Sequence, residues 1–148
     1  NKCILFAPTF RDSGRKTVNY IQSLDINRMN LFLKKNNAIL LIKMHYIDHI
    51  KNHFINIKKY SNIKLLDKNK FNDINRVLYH VDLLITDYSS IFYDFLILDR
   101  PILFFPADLI EYQKDDRELY VDYNMIYAIK FLLQYDKENF EFYNPLIK

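Results

Sequence analysis

The sequence has one glycine (Gly14), one cysteine (Cys3) and no tryptophan among 148 residues. A single glycine excludes both the Walker loop and the GxGxxG dinucleotide turn, which need several glycines where the backbone approaches phosphate. A single cysteine excludes a disulfide framework and any cysteine-based zinc site. No stretch free of Lys, Arg, Asp and Glu exceeds eight residues. A bilayer-spanning helix needs ~20, so no span is expected. An excess of one charge is also missing: 21 Lys and Arg against 18 Asp and Glu give +3 and a pI near 8.8. No basic run is longer than two residues. That balance is too even for a nucleic-acid-binding arm, and no nucleic-acid partner is expected. An anionic ligand or an anionic membrane surface suits it.

What is abundant points to a packed core. Half of the residues are hydrophobic, including 12 Tyr and 12 Phe, too much apolar material to stay solvated. The length fits one domain, expected to occupy 1–148. The chain starts at Asn1 and already resembles strand interior at residue 3, so it reads as a fragment of a longer protein.

Short apolar runs alternate with helical patterns. Cys3-Ile4-Leu5-Phe6-Ala7, closed by Pro8, reads as a buried strand, and 38–42, 63–66, 81–86 and 101–105 repeat that character. Helices are expected from an Asp25 cap to about Asn36, over much of 47–59, from an Asn72 or Asp73 cap through His80, over 91–98, and over 124–135. Strands that are apolar throughout, each followed by a helix, predict a parallel sheet covered on both faces. Right-handed crossovers make this an α/β, Rossmann-like doubly wound parallel sheet. Ligands of such sheets bind outside the carboxyl ends of the strands. The candidate segments are therefore 8–12, 43–46, 66–72, 87–94 and 106–112; all but the third carry unusual residues.

Asp87-Tyr88-Ser89-Ser90 is a strand-to-helix turn. Two hydroxyls beside unpaired N–H groups at a helix start suit a phosphate without glycine. Asp94, four residues after Ser90, falls on the same side and suits vicinal hydroxyls of a ribose or glycerol. The alternative is that Ser89 only caps the helix and Asp94 is a solvated charge. Arg11 follows the first strand, where a guanidinium can hold a pyrophosphate through two parallel bonds, or simply face solvent. Lys43 and His45 leave the second strand at the same edge, and His45 suits phosphate binding or proton transfer, or a structural role. Asp108, Tyr112 and Arg117 follow the fifth strand, either folding over a ligand or forming plain surface. His45, His49 and His53 recur every four residues. No Glu stands at the HExxH position, so a solvated helix face is the better reading and no metal is expected.

Several motifs then fall in one order: Ile4-Leu5-Phe6-Ala7-Pro8-Thr9-Phe10-Arg11-Asp12, Leu41-Ile42-Lys43-Met44-His45, the run from Asp82 through Thr86-Asp87-Tyr88-Ser89-Ser90 to Phe95, and Pro101 through Asp108 with Tyr112. Over about 3–122 this resembles the CDP-glycerol glycerophosphotransferase family, the teichoic-acid primases and polymerases and their capsule relatives. Two places depart from the family pattern: Tyr46 stands where proline usually follows the histidine, and 123–127 lack a Pro-Gly stretch. The resemblance implies the C-terminal, nucleotide-binding lobe of a GT-B enzyme. Such an enzyme moves a polyol phosphate from a CDP-linked donor to a polymer or lipid-linked acceptor at the cytoplasmic face of a bacterial membrane, without a cofactor. The donor-binding set it implies is Thr9, Arg11, Lys43, His45, Asp87, Ser89, Ser90, Asp94 and Asp108, with His45 and Arg11 as catalytic candidates. The N-terminal lobe of the same protein would complete the site. Other readings are a GT-B glycosyltransferase using a nucleotide sugar and a non-catalytic nucleotide-binding domain.

Overall fold

A computed structural model of the chain describes residues 1–9, 25–43, 57–66, 71 and 73–106. All of these belong to the compact unit Asn1–Asp116. The apolar runs become five strands: β1 (Lys2–Ala7), β2 (Ala38–Ile42), β3 (Ile63–Leu65), β4 (Leu83–Thr86) and β5 (Ile102–Phe104). They form one parallel sheet in the order β3-β2-β1-β4-β5. The expected Rossmann-like doubly wound sheet is therefore the observed fold.

Helices α1 (Ile26–Lys35), α2 (Ile74–Leu78) and α3 (Ile91–Leu96) lie among these strands, with a 3-10 turn at Ile57–Lys59. Asp25 caps α1 by accepting the Arg28 N–H at 3.0 Å. Asp73 caps α2 by accepting from Asn75 at 2.9 Å. Asn36 closes α1 and Asn37 follows at φ 49°, the left-handed conformation that usually selects glycine and that Asn tolerates best among the other residues.

Successive residues of each strand face opposite ways, and both faces are covered. On one, Phe6, Leu40, Ile42 and Ile63 pack with Ile26 and Leu33 of α1 and with Ile57 and Tyr60. On the other, Phe92 of α3 meets Phe104 of β5 edge-on at 5.4 Å between ring centroids, and Val77 of α2 lines one groove together with Leu41 and Leu66. Leu5, Ile42, Ile63, Leu84 and Phe95 are fully buried, each contributing about 1.5–3 kcal/mol of transfer free energy.

Several boundaries differ from the sequence expectation by a residue or two, and three of them have a visible cause. The fourth strand begins at Leu83, because Val81 is held in a turn by its N–H bond to Leu78 O, 3.0 Å. Helix α2 stops at Leu78 rather than His80. Arg100 donates to the carbonyls of Tyr79 and Val81, 2.7 Å each, and so satisfies them outside a helix. Helix α3 stops at Leu96, with Leu98 and Asp99 bonding back three residues. Asp99 at φ 49° then turns the chain toward Pro101. The helices expected over 47–59 and 124–135 lie outside the described residues, apart from the turn at Ile57–Lys59.

Candidate functional site

The chain leaves β1 toward β2 on one side and returns to β4 on the other, so the topological switch point lies between β1 and β4. A doubly wound sheet opens its ligand crevice there, beyond the carboxyl ends of those two strands. Thr86, the last residue of β4, is fully buried and donates its hydroxyl to Ala7 O at 2.7 Å. That bond holds the two strand ends together. The flanking exits are fixed to the same edge by backbone bonds from Lys43 N to Phe6 O and from Phe105 N to Thr86 O, both 2.8 Å.

The next residue supplies the centre of the arrangement. Asp87 is 1% exposed. Its Oδ1 accepts the Thr9 N–H at 2.7 Å, the Thr9 hydroxyl at 2.6 Å and the Tyr88 N–H at 2.7 Å. A carboxylate withdrawn from water needs such donors, and bonds to a charged acceptor are roughly twice as strong as neutral ones. Sequence reasoning placed Asp87 in the site but missed this role. The available signal was an aspartate directly after a fully buried strand end.

Ser89 and Ser90 follow in the same turn. Ser90 occupies the cap position of α3 with φ −59° and ψ −13°, and its side chain makes no capping bond. The carbonyls of Ser89 and Ser90 accept from Phe92 and Tyr93 at 3.3 and 3.0 Å. Neither hydroxyl has a partner among the described residues, which removes the purely capping role offered as the alternative. Asp94 is exposed in the first turn of α3, where a carboxylate also complements the helix dipole. No residue of this turn takes a positive φ, so the turn does not require glycine.

The structure thus brings Thr9 and Asp87 into direct contact, places Ser89, Ser90 and Asp94 immediately after them, and sets Lys43 at the neighbouring strand exit. Arg11, His45 and Asp108 lie outside the described residues, as do His49, His53, Tyr112 and Arg117. Among the described residues no group of His, Cys, Asp and Glu could hold a metal, and no helix is long and apolar enough to cross a membrane. One shifted ionisable group lies remote from the site: Cys3, whose thiol is pushed up from 9.0 by burial and secondarily by Asp82. Leu66 and Phe71, from the segment after the third strand that looked unremarkable, border an open groove of about 660 Å³ lined in part by Lys64 and Arg76.

The sequence pattern of the CDP-Glycerol:Poly(glycerophosphate) glycerophosphotransferase family matches residues 1–130. The chain belongs to that family. Its similarity to the teichoic acid ribitol-phosphate polymerase TarL of Staphylococcus aureus is 37% identity over 136 residues, 91% of this chain and 24% of that protein. A teichoic acid poly(glycerol phosphate) polymerase of Bacillus spizizenii is 37% identical over 127 residues, 82% of this chain and 30% of that protein. Among solved structures, the wall teichoic acid polymerase TagF superimposes with a TM-score of 0.61 at 32% identity, covering 91% of this chain and 34% of that one. A TagF variant soaked with CDPG matches with a TM-score of 0.60 at 35% identity, over 83% of this chain and 29% of that one. As a member of the glycerophosphotransferase family, the chain thus spans about a quarter to a third of the length of these relatives.

Proposed function

We propose that this chain is the donor-binding lobe of an enzyme that transfers glycerol phosphate, or a related polyol phosphate, from a CDP-activated donor to an acceptor hydroxyl, releasing CMP. The acceptor is a cell-surface polymer or a lipid-linked chain at the inner face of a bacterial membrane. The observation that carries this reading is the turn 87–90 at the switch point, where two serine hydroxyls without a partner among the described residues stand at a helix start beside the β1 exit. Family membership and the CDPG soak of a similar polymerase support the cytidine donor.

In this reading the acceptor oxygen attacks the phosphorus that carries the polyol, and the bond from that phosphorus to the CMP oxygen breaks. Negative charge grows on the departing phosphate, so donors fixed beforehand around it stabilise the transition state. Ser89 and Ser90 hold the donor phosphates, with Lys43, Arg11 and His45 adding positive charge or protons from the adjacent strand exits. Asp94 accepts hydrogen bonds from donor hydroxyls, and Asp108, which follows the fifth strand in sequence, joins the donor-binding set. The acceptor base belongs to the second, N-terminal lobe, and no cofactor or metal takes part.

Calorimetric titration of the chain with CDP-glycerol, CDP-ribitol, CMP and UDP-GlcNAc tests the reading. Selective heat with the cytidine ligands supports it. Preference for UDP-GlcNAc replaces it with a nucleotide-sugar glycosyltransferase, and no uptake of any of the four at millimolar concentration refutes it.

A further inference from the structure

We infer that Asp87 is a positioning residue, which sets the spacing between the β1 exit and the β4 turn and does not itself touch the donor. The inference rests on the donor-binding reading above and assigns how that site is held open in one geometry.

The two loops flanking the switch point are not continuous in sequence: Thr9 and Asp87 are 78 residues apart. Strand pairing between β1 and β4 ends in register at Ala7 and Thr86. Among the described residues the strand pairing between the two chains stops at that pair. The Asp87 carboxylate takes over at that point. One oxygen collects the first N–H beyond Pro8, the hydroxyl of the same threonine, and the N–H that opens the turn carrying Ser89 and Ser90. Proline has no N–H to give, so the Thr9 N–H is the first backbone donor that the departing β1 chain can offer.

Burial strengthens the argument. At 1% exposure the carboxylate is enclosed by the protein, whereas Ser89 is only half-buried and Ser90 is exposed. A group meant to touch a phosphorylated donor would also meet the donor's negative charge. A buried carboxylate beside a phosphate is repulsive, but one pointed at backbone N–H groups orients them and the loops they belong to. Arg11 lies two residues beyond Thr9, and Ser89 two beyond Asp87. Thr9 and Tyr88, one on each side of the switch point, are thus tied to one oxygen atom.

Two measurements on Asp87→Asn, Thr9→Val and the double variant separate this assignment from its rivals. The first, made without ligand, is amide hydrogen exchange at Thr9 and Tyr88, with Leu5 and Leu84 as core references. Asp87→Asn is expected to speed exchange at Thr9 and Tyr88 while the core amides keep their protection. The second is CDP-glycerol affinity. Asp87→Asn is expected to weaken it on the order of 10- to 100-fold, the range typical of losing a group that orients ligating residues. Thr9→Val is expected to weaken it less, and the double variant no further than Asp87→Asn alone, because both changes break one tie. Additive losses would show that Asp87 and Thr9 act independently rather than through one tie and would overturn the assignment. Unchanged affinity despite faster exchange at residues 9 and 88 would overturn it as well. If Asp87→Asn fails to fold, the assignment stands or falls on Thr9→Val, which must both loosen the Tyr88 amide and weaken the donor. Failure of the unaltered chain to take up CDP-glycerol is the separate outcome that removes the donor-binding reading itself, and this assignment with it.

Discussion

Replacing both Ser89 and Ser90 with alanine separates a ligand site from a helix cap, because the two roles predict opposite results. A serine that caps a helix through its side chain contributes about 1 kcal/mol to stability, with an observed spread of roughly 0.5–2 kcal/mol. Ser90 makes no such bond, and neither hydroxyl has a partner among the described residues. The double alanine variant should therefore unfold within about 0.5 kcal/mol of the parent, the range of an ordinary surface change. The same chain contains its own calibration. Asp25→Ala removes a real capping bond, to Arg28 N at 3.0 Å, and Asp73→Ala another, to Asn75 N at 2.9 Å. Each should lower stability by about 1 kcal/mol. Binding should behave the other way. A hydrogen bond to a charged group contributes about 1.5–3 kcal/mol, so losing two at the lower figure weakens donor affinity by about 100-fold. Urea denaturation, with m unchanged, reports the first quantity, and calorimetry with CDP-glycerol the second. A double variant that loses 1 kcal/mol or more in stability and keeps its affinity would refute the site and restore the capping explanation.

Asn37, at φ 49° behind α1, should tolerate glycine without loss, while Asn37→Val should lower stability by about 1–2 kcal/mol; thermal melts of the two variants check this. Cys3 should be nearly inert to thiol reagents in the folded chain and react fully on unfolding. Its folded-state pKa is raised above 9.0, first by burial and then by Asp82, so its contribution to stability is complete below the ordinary value. That contribution should be lost as pH rises from there through the folded-state value, because the unfolded thiol releases its proton first. Urea midpoints of the parent should therefore fall faster than those of Cys3→Ala as the pH rises past 9.0.

The sheet was legible because its inner strands β1, β2 and β4 are covered on both faces and so appear as apolar runs, while the edge strands β3 and β5 keep exposed residues at Lys64, Leu65 and Leu103. Residues 38–42 coincide with β2, and 3–7 differ from β1 by one residue. The helix starts at Asp25 and Asp73 were legible because an acidic side chain that accepts an N–H is a local event. Helix ends were less so. Helix α2 stops where Arg100, some 20 residues later, claims the carbonyls of Tyr79 and Val81 just beyond it, and no local propensity contains that. The site divides in the same way. Ser89, Ser90 and Asp94 were reachable from spacing along one turn. The Asp87–Thr9 tie joins residues 78 apart, and only the parallel register of β1 and β4 brings them together.

The scarcity of glycine then acquires a structural meaning. Phosphate loops rich in glycine let the backbone approach the ligand by adopting conformations closed to other residues. Here the positive-φ positions among the described residues fall on Asn37 and Asp99, both at helix ends away from the switch point. The turn 87–90 keeps ordinary dihedrals and gains its shape from a side chain, the buried Asp87 carboxylate, instead of from backbone freedom. Such a turn offers hydroxyls rather than a wrapped backbone to its ligand, and is held from one side by an anion. It suits a donor whose phosphates are gripped at one end while the other end stays open to an attacking hydroxyl. A glycine loop can close around a phosphate; in the proposed donor site, this turn would present it.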